Sequence, residues 1–259
     1  IVSIRRLNMF SIMLLTISLN KIKKCLLIFS LFFLYLPIFA QQNFFNVNTS
    51  DITDSAKLFF QQQLNFNAQT SSNTTFTWGL GHGFEMGFNV FGVNFDNHAK
   101  TFLVNDKDYT APLGPILLIN AQKAFHLNEH FKIGIGTQSG LNLTSYAKQI
   151  RPVTFDYATF VYQPSHRLKL VAGGYYGNPY FLGSGNELGC MAGFEWAVIE
   201  HHFHIQADWL YGNNSMGIWV PGMVIYFTKN LSMSLGWQFP NPNTTNSQAF
   251  VFEFTYRKS

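Results

Sequence analysis

Cysteine is nearly absent: the 259 residues hold two, Cys25 and Cys190. Only Cys190 lies in the segment read below as mature, so that segment has no internal disulfide and no cysteine-built metal site. Charge is scarce too, at 12% of residues. An average soluble chain carries about 25%, so this one lacks the material for an ordinary water-facing surface. Helical periodicity is missing after residue 40, where no long stretch repeats its apolar residues near 3.6. Phosphate loops are missing as well. Gly81-His82-Gly83 and Gly183-Ser184-Gly185 read as turns, because neither sits between a strand and a helix.

The basic surplus disappears when the ends are separated. The whole chain has 17 Lys and Arg against 13 Asp and Glu, a net of +4. Arg5, Arg6, Lys21, Lys23 and Lys24 fall in the first 40 residues, which contain no acid. Lys21 to Lys24 precede an apolar stretch, residues 26–39, that ends in Ala40 before Gln41-Gln42. A basic start, a short apolar core and a small residue at the cut are the parts of a secretory signal. The core is shorter than the about 20 residues a spanning helix needs. Cys25 stands at its front, the wrong place for a lipid-anchored cysteine. We therefore expect a cleaved signal over 1–40, a short periplasmic segment over 41–57 and one domain over 58–259. With the five basic residues gone, 12 cations face 13 anions, a net of −1. The basic pI belongs to the export signal and does not indicate nucleic acid.

What is present is aromatic. Phe 28, Tyr 11 and Trp 5 make up 17% of the chain, and they recur with period two. Leu231, Met233, Leu235, Trp237 and Phe239 alternate with Ser232, Ser234, Gly236 and Gln238. Phe250, Phe252, Phe254 and Tyr256 alternate with Val251, Glu253 and Thr255. Phe203, Ile205, Ala207, Trp209 and Tyr211 alternate with His202, His204, Gln206 and Asp208. Strands of this kind have one large apolar face and one small or polar face. In a barrel surrounded by lipid the apolar face points out and the polar face in. Twelve such strands are expected, at about 58–68, 74–81, 84–95, 114–125, 131–142, 153–163, 167–177, 187–198, 202–212, 215–227, 231–239 and 248–257. An even count suits a bacterial single-chain barrel.

The connections agree with that reading. One set is short, as at Leu127-Asn128-Glu129 and Thr228-Lys229-Asn230. The other set, as at 96–113, 143–152, 178–186 and 240–247, is longer and rich in Asn, Asp, Gly and Pro. Residues 69–73 and 212–214 are short exceptions in the second set. A barrel with its N-terminus in the periplasm has short periplasmic turns and long outer loops. The expected fold class is an all-β, transmembrane, antiparallel up-and-down β-barrel of about 12 strands.

Residues 73–90, NTTFTWGLGHGFEMGFNV, form an alternating strand, a Gly turn and a second strand starting with an acid. This resembles the first hairpins of small Gram-negative outer-membrane barrels. It is similar to the meta-pathway phenol-degradation and transporter-like barrel group, and the signal ending LPIFAQQ resembles those of Bacteroidota exported proteins. The resemblance implies an outer-membrane location and solute passage. It carries no catalytic residue onto this sequence.

Lipid-hydrolysing barrels of the outer membrane offer the enzymatic comparison, since they present a strand His with a Ser two residues later as base and nucleophile. None of the eight His here has Ser at that spacing. We expect no enzyme and no cofactor. His202 and His204, two apart, would need a third ligand such as Glu195 to hold a metal. A solvated periplasmic rim with polar lumen residues accounts for them better, and no metal is expected. By alternation the lumen-lining candidates are Glu85, Lys132, Lys169, Glu187, Glu195, His202, His204, Asp208 and Glu253. Such charges line a solute path or pair to close it. The loop at 96–113, with Lys100, Asp106, Lys107 and Asp108, is the candidate constriction. The reading at this stage is a monomeric passive channel for small solutes, in contact with outer-membrane lipid and not with nucleic acid. The alternative is a non-conducting structural or interaction barrel.

Overall fold

The computed structural model describes residues 43–105, 112–143 and 150–258. The expected signal, and Asp106, Lys107 and Asp108 of the long loop, lie outside the described residues. The chain is an antiparallel barrel. Its staves are β1 (Leu58–Phe66), β2 (Gln69–Gly81), β3 (Phe84–Asp96), β5 (Ile116–His126), β6 (Phe131–Asn142), β7 (Pro152–Ser165), β8 (Leu168–Gly177), β9 (Leu188–Ile199), β10 (Phe203–Leu210), β11 (Ile218–Thr228), β12 (Leu231–Pro240) and β13 (Ala249–Arg257). These twelve pair with their neighbours in chain order, and β1 pairs with β13, so the sheet closes and has no free edge. A thirteenth strand, β4 (Thr101–Leu103), pairs with the last residues of β3 and extends the sheet at the loop end.

Two segments differ from the sequence reading. Residues 69–73 are not a loop but the first part of β2, paired with both β1 and β3. Their Thr, Ser and Asn side chains resemble a turn in composition, yet Thr70 to Ser72 pair with both neighbouring strands and Asn73 with β1, and tertiary pairing overrides the local preference. The loop at 178–186 contains one helical turn, α1 (Pro179–Leu182). Asn178 caps it by accepting from the Phe181 N–H, and Pro179 supplies the pre-set φ of the first turn.

The opposite end has tight turns. His82 (φ 51°) and Gly83 (φ 72°) both lie in the left-handed region, the backbone that a two-residue hairpin turn needs to match strand twist. At the β7–β8 and β9–β10 turns, Arg167 Nε donates to Glu200 Oε1 at 2.6 Å. That bond holds the exposed Glu200 carboxyl below its ordinary value.

Outside and inside differ as alternation requires. All five tryptophans, Trp78, Trp196, Trp209, Trp219 and Trp237, stand on the outer face, among Phe88, Ile119 and Phe160. A band of exposed apolar and aromatic side chains suits lipid and not water. Brominated phospholipid should therefore quench most of the tryptophan emission of the protein in vesicles, while aqueous acrylamide quenches little of it. The reverse pattern would contradict a lipid-facing exterior.

The inner face is less uniformly polar than its alternation suggests. On β5 to β10, Leu118, Phe155, Tyr157, Tyr175, Met191 and Leu210 are buried inside the barrel, with Phe181 and Leu182 of α1 packed over them. On β1 to β3, Gln61, Gln63, Thr77 and Asn89 are buried inside instead. The lumen thus has an apolar half and a polar half.

Candidate functional site

The sequence reading left residues 41–57 in the periplasm. The described part of that segment, from Asn43, runs inside the barrel. Phe44, Phe45, Val47, Thr49, Ser50, Asp51 and Thr53 are all buried. The physical reason is that Phe44, Phe45 and Val47 find an apolar interior only there, roughly 1.5–3 kcal/mol for each large side chain fully buried. Phe44 and Val47 join the apolar half, and Phe45 packs with Ile218, Val220 and Val251.

The wall is shaped to receive this segment. A Cβ on Gly193 would lie 2.4 Å from the Phe44 ring. A Cβ on Gly222 or Gly236 would lie 2.6 or 2.7 Å from Phe45 Cζ. A Cβ on Gly79 would lie 2.0 Å from the Asp54 carbonyl oxygen. Inward glycines that look like weak strand residues therefore supply the room that the segment fills.

Polar contacts fix its register. The Asn46 and Val47 N–H groups both donate to Asp208 Oδ2, the second at 2.8 Å. The Thr53 N–H donates to Glu85 Oε2 at 2.7 Å. Gln122 Nε2 donates to the Thr49 carbonyl at 2.8 Å, and Arg257 donates to the Ile52 carbonyl at 2.7 Å. Asp51 reaches two cations: Lys132 Nζ is 2.7 Å from Oδ1 and Lys169 Nζ is 2.6 Å from Oδ2. The Lys169 and Asp51 side chains are 3% and 8% exposed. At that depth, charges persist only when paired.

A second set of bonds continues from Lys169 along the wall. Glu195, directly opposite it on β9, lies 3.5 Å from its Nζ. His204 Nδ1 and the Tyr226 hydroxyl are 2.6 and 2.9 Å from Glu195 Oε1. Ser234 donates to Glu253 Oε1 at 3.2 Å on the other side of the lumen. Gln206 is fully buried, and neither of its amide atoms meets a protein partner.

Of the nine candidates read from alternation, Glu85, Lys169, Glu195, His204, Asp208 and Glu253 are buried in the lumen, and Lys132 joins them through Asp51. Two stand elsewhere. Glu187 is exposed in the connection ahead of β9, where the strand parity that would turn it inward has not yet begun. His202 lies in the β9–β10 turn, its Nδ1 3.1 Å from the Glu200 carbonyl, because β10 starts one residue later than the alternation suggests. His202 therefore does not join His204 and Glu195. Within the described residues of the 96–113 loop, β4 extends the sheet with Phe102 exposed, while Leu113 is buried with Phe44 and Val47 in the apolar half; it is mainly the N-terminal segment that enters the lumen. Sequence reasoning missed Asp51 and this segment. The available signal was Phe44-Phe45 and Val47 in a stretch assigned to water.

Cavities of about 70 and 40 Å³ lie between the segment and the polar half, lined by Asn48, Thr75, Asn89 and Gln138 among others. A water needs roughly 10–15 Å³ by this kind of measure, so each of these two spaces has room for a few waters.

A closed twelve-stranded antiparallel barrel with an apolar exterior is a fold found in outer-membrane barrels. Solved structures share it. KdgM porin aligns at TM-score 0.54 with 9% identity, over 78% of this chain and 99% of that one. KdgM porin in complex with disordered oligogalacturonate aligns at 0.53, with the same identity and coverage. Outer membrane phospholipase A from Escherichia coli aligns at 0.44 with 10% identity, over 80% of this chain and 92% of that one, and nothing about activity follows from it. No protein-family model and no curated protein sequence matches the chain.

Proposed function

We propose that this chain is a small-solute channel of a bacterial outer membrane, closed at rest by its own N-terminal segment. The observation that carries this reading is how the segment is held. Between residues 43 and 54 it makes no ladder with any stave. Among the described residues its one bridge to the sheet is Ser55 with Gly79. Apolar packing of Phe44, Phe45 and Val47, side-chain bonds and one ion-pair cluster hold the rest, and these can break while every strand pairing of the barrel stays intact. The polar half, with Gln61, Gln63, Asn89 and Gln138, is then the solute path. A porin of the same fold holds oligogalacturonate, which makes solute passage compatible with the architecture.

The apolar cluster beneath α1 favours the second reading, a non-conducting structural barrel, because it narrows the loop end. Planar-bilayer recording separates the two. The mature protein should open rarely, and a variant lacking residues 43–54 should show frequent single-channel steps. A correctly folded variant that shows no steps would leave the structural barrel as the reading.

A further inference from the structure

We infer that Lys132 and Lys169 form a carboxylate-binding site in the lumen, which Asp51 occupies as an internal ligand and which a carboxylate-bearing small solute takes when the segment leaves. The inference rests on the reading of residues 43–54 as a displaceable plug.

The charge balance of the cluster is the first argument. The groups in contact are Lys132, Lys169, Asp51 and Glu195, two cations and two anions. Three belong to the wall and stay when the plug moves. Only Asp51 leaves, and its departure gives the wall group a net of +1. In the wetted lumen that net positive charge attracts an anion. Glu195 does not fill the gap. It is 3.5 Å from Lys169 and already accepts from Tyr226 and His204, while Lys132 has its ion pair with Asp51 alone among the described residues.

Geometry is the second argument. The two ammonium groups approach different oxygens of the same carboxylate, at 2.7 and 2.6 Å. Two neutral polar side chains of the wall also meet the plug. Gln122 Nε2 is committed to the Thr49 carbonyl of the plug, and the Thr159 hydroxyl faces Ser50 of the plug at 3.3 Å. Both are released with it. The wall between them is Gly134, where a Cβ would lie 2.9 Å from Ser50 Oγ, so plug departure leaves a hollow and not a flat wall. Two fixed cations, two neutral polar side chains and a hollow are the parts of an oxyanion site.

The test uses refolded mature protein in detergent and titrating calorimetry, which needs no ion flow. Succinate is the probe. Asp51→Asn empties the site, so this variant should bind succinate about tenfold or more tightly than the wild type, where Asp51 competes. Adding Lys132→Gln should remove that gain. Lys132 is the partly exposed member of the pair, and its replacement leaves the buried Lys169 still paired with Glu195. The wild type gives an independent reading that does not require the Asp51 variant to fold. Succinate should speed proteolysis of residues 43–57, and Lys132→Gln should abolish the effect. Equal affinity in wild type and Asp51→Asn, or binding unchanged by Lys132→Gln, would overturn the inference. Inorganic phosphate binding more tightly than succinate would overturn the carboxylate assignment. Binding without conductance supports this site while the channel reading fails, and conductance without binding does the opposite.

Discussion

Asp51→Asn is expected to release the N-terminal segment about 100-fold more often while leaving the barrel folded. The variant removes the shared counter-charge of Lys132 and Lys169, the latter 3% exposed. Breaking a buried pair costs about 3–5 kcal/mol when the remaining charge has no escape. Here it has one. If the segment withdraws, the lumen wets and Lys169 is solvated, so the cost falls on the plug equilibrium and not on global unfolding. About 3 kcal/mol corresponds to roughly 100-fold in that equilibrium. The rate of proteolysis within residues 43–57 reads the released population, and the heat-modifiable gel mobility of the barrel reads its fold. Unchanged proteolysis would mean that the ion pairs do not hold the segment. Loss of the folded mobility would mean that the segment is an inseparable part of the core.

Gly79→Ala is expected to act on the same equilibrium through sterics, with Gly174→Ala as its control. The added methyl at Gly79 would sit 2.0 Å from the Asp54 carbonyl oxygen and 2.3 Å from that of Thr53. These are backbone atoms at the point where the segment joins β1, so no side-chain rotation relieves them. Overpacking of this kind costs about 1–3 kcal/mol, and withdrawal of the segment again limits it. The expected results are faster proteolysis of the segment and a denaturant midpoint lowered in step. At Gly174, on the outer face, the nearest atom to an added Cβ is a carbonyl oxygen at 3.6 Å, ordinary contact, and the change should stay within about 0.5 kcal/mol. Equal destabilisation by both would point to a general strand effect and away from the plug.

Much of this molecule is legible along the chain. Leu231 to Phe239 and Phe250 to Tyr256 state their outer faces by alternation alone, and the short and long connections state the direction of the staves. Those are local properties, since a side chain's face follows from its parity and a turn's length from the residues in it. The errors are local too. The polar start of β2 reads as a loop, and Glu187 and His202 fall just outside the strands that would orient them.

The content of the lumen is of another kind. Asp51 meets Lys169 across 118 positions of sequence, and Asn46 meets Asp208 across 162. No periodicity relates such residues. They become neighbours only because β13 closes on β1 and surrounds the segment that precedes both. The sequence by itself determined a twelve-stave barrel with an apolar exterior, because period and turn chemistry act over a few residues. Only the tertiary structure decided that residues 43–54 lie in the lumen and which cations Asp51 meets there, because barrel closure is what turns distant side chains toward one interior.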